Sequence, residues 1–208
     1  MPLGIDLDPY LRPNEKILNH AAAIKKVNDI PLWLMVGRMT YYKGYHVAIE
    51  ALSRIEGKLI IVGNGPLEQE LRALAKRLQV NDRITWMASV SQENLIALYT
   101  AATALWFPSI ARSEGFGLVQ VEAMACGCPV INTDIPASGV SWVSQHDVSG
   151  LTVPIGNPER LAMEARRLAN EPATRKRLSV GAINRAQTEF HSRLMVERSL
   201  DIYQASRN

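Results

Sequence analysis

Leu32-Trp33-Leu34-Met35-Val36-Gly37 and Leu59-Ile60-Ile61-Val62-Gly63 decide the fold. Each is an unbroken apolar run closed by glycine, the pattern of a strand buried on both faces rather than on one. Between them Val47, Ala48, Ala51, Leu52 and Ile55 fall at helical spacing. Strand, helix and strand in that order need a crossover, so the two strands run parallel. Outward from this unit the pattern repeats. Pro66 to Leu78 reads as a helix with Leu67, Leu71, Leu74 and Leu78 on one face, and Ile84-Thr85-Trp86-Met87 as a third strand. Ser91 is the expected N-cap of a helix through Leu95, Leu98 and Tyr99. Ala104 to Phe107 is a fourth strand stopped by Pro108, and a helix follows from Gly117 to Cys126. Pro129-Val130-Ile131 and Leu151-Thr152-Val153 complete the strands. The remainder reads as helices over Pro158 to Ala169, Pro172 to Phe190 and Ser192 to Ala205.

The fold class is therefore α/β: a Rossmann-like parallel sheet of about six strands with helices on both faces. Ligands bind such sheets beyond the carboxyl ends of the strands. The functional weight then falls on Gly37 to Lys43, Gly63 to Gly65, Ala88 to Ser91, Ser109 to Gly117 and Thr133 to Gly139. Residues 1–30 look different. Pro2, Pro9 and Pro13 interrupt the start, which shows neither helix nor strand period, so this stretch reads as a connector. The domain itself is expected over 31–190, with a C-terminal helical segment over 191–208.

Composition agrees with one sizeable core. The chain has 208 residues, 47% of them apolar and 21% charged, which excludes a disordered or collagen-like chain. A chain this long buries roughly 70% of its unfolded surface. No apolar run approaches the ~20 residues of a membrane helix, and the start has no basic or apolar signal region. The two cysteines, Cys126 and Cys128, make no disulfide framework and suit a cytoplasmic setting. A net charge of +3 is too mild for nucleic-acid binding. From Glu159 onward ten basic residues face six acidic ones. A solvated helix face explains that bias, and peripheral contact with an anionic membrane surface is its alternative.

Three stretches carry chemistry. Gly63-Asn64-Gly65-Pro66-Leu67-Glu68 sits where a dinucleotide fingerprint would, but Glu68 replaces the third glycine, which disfavours a nicotinamide cofactor. A tight turn whose backbone approaches a ligand is the better reading. Gly37 to Gly44 lacks the Walker spacing, yet it puts Arg38 and Lys43 on one loop at a strand's carboxyl end. A guanidinium fork and an ammonium point charge suit a diphosphate, against the plainer reading of two solvated charges. Ser113 to Glu122 is the most informative. Gly115 and Gly117 permit close backbone approach, the helix starting there offers free N–H groups to an anion, and Glu114 and Glu122 flank that anion site. Paired carboxylates accept hydrogen bonds from vicinal hydroxyls, so a sugar at one end and a ribose at the other would fit. Cys126-Gly127-Cys128 and the scattered His20, His46, His146 and His191 build no metal site.

In order along the chain stand Val36-Gly37-Arg38 with Lys43-Gly44, then Val62-Gly63-x-Gly65-Pro66, then Pro108-Ser109. Glu114-Gly115-Phe116-Gly117-Leu118-Val119-x-x-Glu122-Ala123-Met124-Ala125-Cys126-Gly127-x-Pro129-Val130-Ile131 follows, and Gly150-Leu151-x-Val153-Pro154 closes the set. Together these resemble the carboxyl-terminal domain of the retaining glycosyltransferases of the large GT-B "family 4" group, over Leu32 to Leu178. The resemblance implies a nucleotide-diphosphate-sugar donor. Arg38 and Lys43 would hold the diphosphate, Glu114 the transferred sugar and Glu122 the ribose hydroxyls. Backbone around Gly115, Phe116, Gly117, Leu118 and Val119 would hold sugar and phosphate oxygens, and the base would lie near Gly63 and Ala88 to Val90. Catalysis would fall to Glu114 by positioning and electrostatics and to Arg38 and Lys43 on the leaving diphosphate, with no metal and no cofactor. Relatives carry Gly-Gly and an acidic residue where this chain reads Ile135-Pro136-Ala137-Ser138-Gly139-Val140-Ser141-Trp142. An Ala-Ser-Gly-Val segment like this one resembles bacterial O-antigen and capsule enzymes with GDP-mannose-like donors.

The resemblance also implies two domains with the site between them. Leu3-Gly4-Ile5-Asp6 resembles the connector leaving the first domain, so a glycan or lipid-linked acceptor would be bound by an N-terminal half outside this chain. The C-terminal helix would cross back toward that half. The expected location is the cytoplasm, with peripheral contact at the inner face of the membrane as an option. A nucleotide-sugar-binding module without turnover, and another GT-B enzyme such as a nucleotide-sugar epimerase, remain the alternatives.

Overall fold

The computed structural model describes residues 3–205. Helices α1 (Asp8–Leu11) and α2 (Glu15–Val27) precede β1 (Leu32–Val36). Then come α3 (Tyr45–Leu52), β2 (Lys58–Val62), α4 (Glu68–Arg77), β3 (Ile84–Met87), α5 (Gln92–Ala101) and β4 (Ala104–Phe107). The second half holds α6 (Leu118–Ala125), β5 (Val130–Thr133), α7 (Val140–Val143) and β6 (Gly150–Val153). Three helices close the chain: α8 (Pro158–Asn170), α9 (Pro172–Glu189) and α10 (Ser192–Ala205). The strands form one six-stranded sheet in the order β3-β2-β1-β4-β5-β6, every pair parallel.

Period-2 alternation divides the strand residues between two cores. Leu32, Leu34, Ile60, Val62, Leu105, Phe107 and Val130 join the helices α2, α5, α6 and α9 on one face. Trp33, Met35, Leu59, Ile61, Ala104, Trp106 and Ile131 join α3, α4 and α8 on the other. Trp33 and Trp106 stack across the β1–β4 pair, ring centroids 5.1 Å apart. Such offset stacking adds about 1 kcal/mol to the area the rings bury.

Residues 1–30, read as a connector, carry two helices over their described part. Asn14 caps α2 by accepting the Ile17 N–H at 3.0 Å, and α2 packs along α5. The cap and the apolar Ile17, Ala21 and Ile24 were the available signal. The three prolines of the start hid it: Pro9 sits inside the first turn of α1, where its missing N–H costs nothing. Met1 and Pro2 and residues 206–208 lie outside the described residues. Helix α4 begins at Glu68 rather than Pro66, which occupies the preceding turn, and α7 was not anticipated. In α10, Val196, Leu200 and Ile202 are exposed. No helix among the described residues is long and apolar enough to cross a membrane.

Candidate functional site

The strand order places the topological switch between β1 and β4, where the chain turns left to β2 and later right to β5. The loops after these two strands diverge and leave a crevice. They also touch at its base. The Ile110 N–H donates to the Tyr42 carbonyl at 2.8 Å. Gly44, at φ +68°, lies so close that a Cβ there would overlap the Pro108 carbonyl oxygen. A glycine is required at this point for both its torsion and its contact. Gly63, at φ +139°, does the same one strand over: a Cβ would overlap the Gly37 carbonyl oxygen. The expectation of a tight turn at Gly63 thus has a concrete cause.

Lys43 and Glu114 meet across the switch. Lys43 ends a 3-10 turn (Tyr41–Lys43), and its Nζ lies 2.5 Å from Glu114 Oε2. It also sits over the Phe107 and Tyr42 rings, 5.1 and 5.6 Å from their centroids. The Ser109 hydroxyl donates to the same Oε2 at 3.2 Å. Glu114 is 7% exposed, so the pair has little solvent to screen it. Glu114 Oε1 has no hydrogen-bond partner among the described residues. The carboxylate thus keeps one oxygen for a hydroxyl donor.

Beside this pair the backbone holds out donors. Gly117, at φ +77°, is the N-cap of α6. The N–H groups of Gly115, Phe116, Gly117, Leu118 and Val119 have no acceptor among the described residues. The first turn of a helix always leaves such groups, and its dipole favours an anion there. Here the unpaired run extends back through the glycine loop to Gly115, whose position is open on the outside. Leu118 is itself exposed.

The remaining expected residues surround this centre without touching it. Arg38 is exposed, and its guanidinium has no partner among the described residues. It is a free cation on the same loop as Lys43. Val90 is half-buried and lines a groove of about 520 Å³ with Met87, Thr85 and Leu98. Glu122 lies one helical turn beyond Leu118, roughly 6 Å along the axis. Its Oε2 accepts the Tyr99 hydroxyl at 2.8 Å. Burial raises its pKa above the ordinary carboxylate value, and the hydroxyls of Tyr99 and Tyr10 pull it partly back. Tyr10 comes from α1, so the N-terminal stretch helps to build this environment. Burial likewise pushes up the Tyr99 phenol and the thiols of Cys126 and Cys128, the last to about 12.

Sequence reading missed a second tier of residues. Ser138 donates from Oγ to the Glu114 carbonyl at 2.5 Å, and the Gly139 N–H donates to the Gly115 carbonyl at 2.9 Å. The departure at Ala137-Ser138-Gly139 is therefore a clamp on the glycine loop. Behind it Gln120 and Asn132, both 0% exposed, bond to each other. Polar residues inside apolar runs, Gln120 amid Leu118 to Ala125 and Asn132 after Val130-Ile131, were the signal for them. Among the described residues one mixed cluster, Asp6, Asp8 and His191, stands within cation-ligating distance, but it lies at the N-terminal end of α10, apart from the crevice.

The profile for glycosyl transferases group 1 matches residues 17–185. A D-rhamnosyltransferase, WbpZ, of Pseudomonas aeruginosa is 35% identical over 169 residues, 81% of this chain and 43% of its own. O-antigen chain mannosyltransferase C of Escherichia coli is 29% identical over 171 residues, 82% of this chain and 46% of its own. The chain thus spans about half the length of the curated relatives it matches. Among solved structures, Anabaena HepE in complex with UDP superposes with a TM-score of 0.85 at 22% identity, covering 97% of this chain and 56% of that one. That likeness is one of fold: the two share the Rossmann-like parallel sheet. Family profile, relatives of bacterial polysaccharide synthesis and fold agree, and the chain belongs to the glycosyl transferases group 1 family.

Proposed function

We propose that this chain is the donor-binding half of a retaining glycosyltransferase. It would take a nucleotide-diphosphate-sugar, of GDP-mannose type, and serve transfer to a glycan or lipid-linked acceptor bound by a further domain. The observation that carries this reading is the Lys43–Glu114 pair at the switch crevice, beside backbone donors with no acceptor among the described residues. Each part of a donor finds a chemical match. Arg38, Lys43 and the amides of residues 118 and 119 at the start of α6 face the diphosphate, Glu114 Oε1 and the amides of residues 115–117 the sugar, and Glu122 the ribose. The base lies toward Gly63 and Val90. The mannosyl- and rhamnosyltransferase names of two relatives support the donor class. HepE was solved with UDP, which supports a nucleoside diphosphate in this fold.

Transfer breaks the bond between the sugar's anomeric carbon and the diphosphate, and charge grows on the leaving oxygens. Arg38 and Lys43 stabilise that charge without asking for a metal. Glu114 acts by orienting the sugar through its unengaged oxygen, while Lys43 and Ser109 hold the other in place. We place the protein in the cytoplasm, with the basic C-terminal helices able to rest on an anionic membrane face. The acceptor, and with it turnover, needs the part of the relatives that this chain does not span.

Calorimetry of the chain against UDP, GDP and ADP and their sugars tests the reading. Arg38→Ala should cost about 1.5–3 kcal/mol of nucleoside-diphosphate affinity, the usual weight of a charged hydrogen bond. Because the exposed Arg38 guanidinium has no hydrogen-bond or ion-pair partner among the described residues, stability should not change. Glu122→Ala should weaken the bare nucleoside diphosphate, and Glu114→Ala only the sugar-bearing form. Equal losses for both ligands in both variants, or no binding by the folded chain, would overturn the assignment.

A further inference from the structure

Gln120 and Asn132 are fully buried amides directly behind the glycine loop. Gln120 Nε2 donates to the Phe116 carbonyl at 2.8 Å. Asn132 Nδ2 faces three oxygens: Gln120 Oε1 at 3.0 Å, Val140 O at 2.9 Å and Ser144 O at 3.0 Å. Three acceptors on one side fix which end of the amide is nitrogen. Its other end accepts the Thr152 hydroxyl at 2.9 Å. One side chain on β5 thus ties together α6, the two ends of α7 and β6.

The consequence lies in the peptide planes. In a trans peptide the C=O of one residue and the N–H of the next point in opposite directions. Ser138 holds the Glu114 carbonyl, Gly139 the Gly115 carbonyl and Gln120 the Phe116 carbonyl. Three consecutive planes are therefore set, and the N–H groups of Gly115, Phe116 and Gly117 are turned away from those partners. These are three of the donors that lack an acceptor among the described residues.

We propose that Gln120 and Asn132 are positioning residues: a buried amide relay that aims the N–H groups of the 115–117 turn at the sugar end of the donor. The inference rests on the donor-site reading above and assigns a separate part of it. Among the described residues neither amide hydrogen-bonds to the diphosphate loop, so the loss of the relay should be felt by the sugar and not by the nucleoside diphosphate alone.

Gln120→Met keeps the volume and removes the polar atoms; Asn132→Leu removes the hub. Calorimetry well below each melting temperature measures affinity for GDP, UDP and ADP and for their sugars. In Gln120→Met, the advantage of the sugar-bearing over the bare nucleotide should fall tenfold or more, while bare-nucleotide affinity changes less than threefold. A residue that only supports the fold would leave that ratio unchanged in the folded variant, and an unchanged ratio overturns the proposal. Backbone 15N order parameters of the ligand-free chain give a second readout. Residues 114–119 should lose order in Gln120→Met, and in Asn132→Leu if it folds, while the strands keep theirs. Unaltered order parameters in Gln120→Met overturn the relay as well. If the parent chain binds no nucleotide at all, the donor-site reading fails on its own. The order parameters then still decide whether the amides hold the turn.

Discussion

Replacing Lys43 by methionine removes the cation from a nearly closed site and leaves the rest of the side chain in place. In the parent structure the ammonium lies 2.5 Å from Glu114, with the two side chains 15% and 9% exposed. Without it, the Glu114 carboxylate keeps Ser109 as its one side-chain partner among the described residues. Removing one partner of a buried pair costs about 3–5 kcal/mol, chiefly because the other charge is stranded. Lys43 retains some exposure, so the lower end, about 3 kcal/mol, is expected here. For a chain of this length that is a fall of roughly 6–12 °C in melting temperature. Glu114→Gln should cost less, about 1–2 kcal/mol, because a lysine can turn its head toward water and still bond an amide oxygen. The double variant should be more stable than Lys43→Met alone, since no charge is then left unpaired. Urea melts of all four proteins at pH 7 close the cycle. A double variant whose cost equals the sum of the singles would refute the reasoning, because it would mean that the two charges do not interact. Ligand titration adds a second arm: Lys43→Met should lose nucleoside-diphosphate binding, and Glu114→Gln, which releases the ammonium, should not weaken it.

Gly63→Ala should unfold the β1–β2 loop contact, since its Cβ would overlap the Gly37 carbonyl oxygen at a φ of +139°; a melting temperature within a degree or two of the parent would contradict this. Burial holds the Glu122 pKa above its ordinary 4.5, so the folded protein keeps that proton to higher pH than the unfolded chain does. Stability is therefore lost as pH rises from about 4.5 through the raised value. Glu122→Gln still accepts from Tyr99, should flatten that part of the pH–stability curve and should be no less stable at pH 7; an unchanged slope would count against it. Cys128 is buried with its thiol pushed up to about 12, so alkylation at pH 7.5 should wait for unfolding; rapid labelling of the native protein would show otherwise.

How far the sequence could be read depended on whether a residue's task is local. Leu32 to Val36 and Ala104 to Phe107 are strands at the expected bounds because an apolar run closed by glycine or proline has few other outcomes. Lys43 and Glu114 were legible as site residues because each stands in a glycine-bearing loop directly after such a strand. That they meet as an ion pair was not, for 70 residues separate them and only the strand order, with β4 beside β1, joins their loops. Helix α1 escaped notice because its four residues make no period, and Tyr10 earns its place only through contacts with Glu122 far along the chain.

The same distinction explains why the clamp behind the glycine loop stayed hidden. Ser138, Gln120 and Asn132 contribute through backbone carbonyls, and a carbonyl carries no sequence identity, so no motif records the bond. Ser138 appears in the sequence merely as a departure from a glycine, and Gln120 as an odd polar residue in an apolar helix. Burial is what gives Gln120 and Asn132 meaning. A polar group at 0% exposure must find its partners inside the protein. Gln120 and Ser138 bond the Phe116 and Glu114 carbonyls, the Gly139 N–H bonds the Gly115 carbonyl between them, and Asn132 holds Gln120; the peptide planes of those three carbonyls carry the free N–H groups of the crevice. The donors that face a ligand and the side chains that hold them are thus opposite ends of the same peptide units. A substitution on the hidden side should therefore act at the visible one.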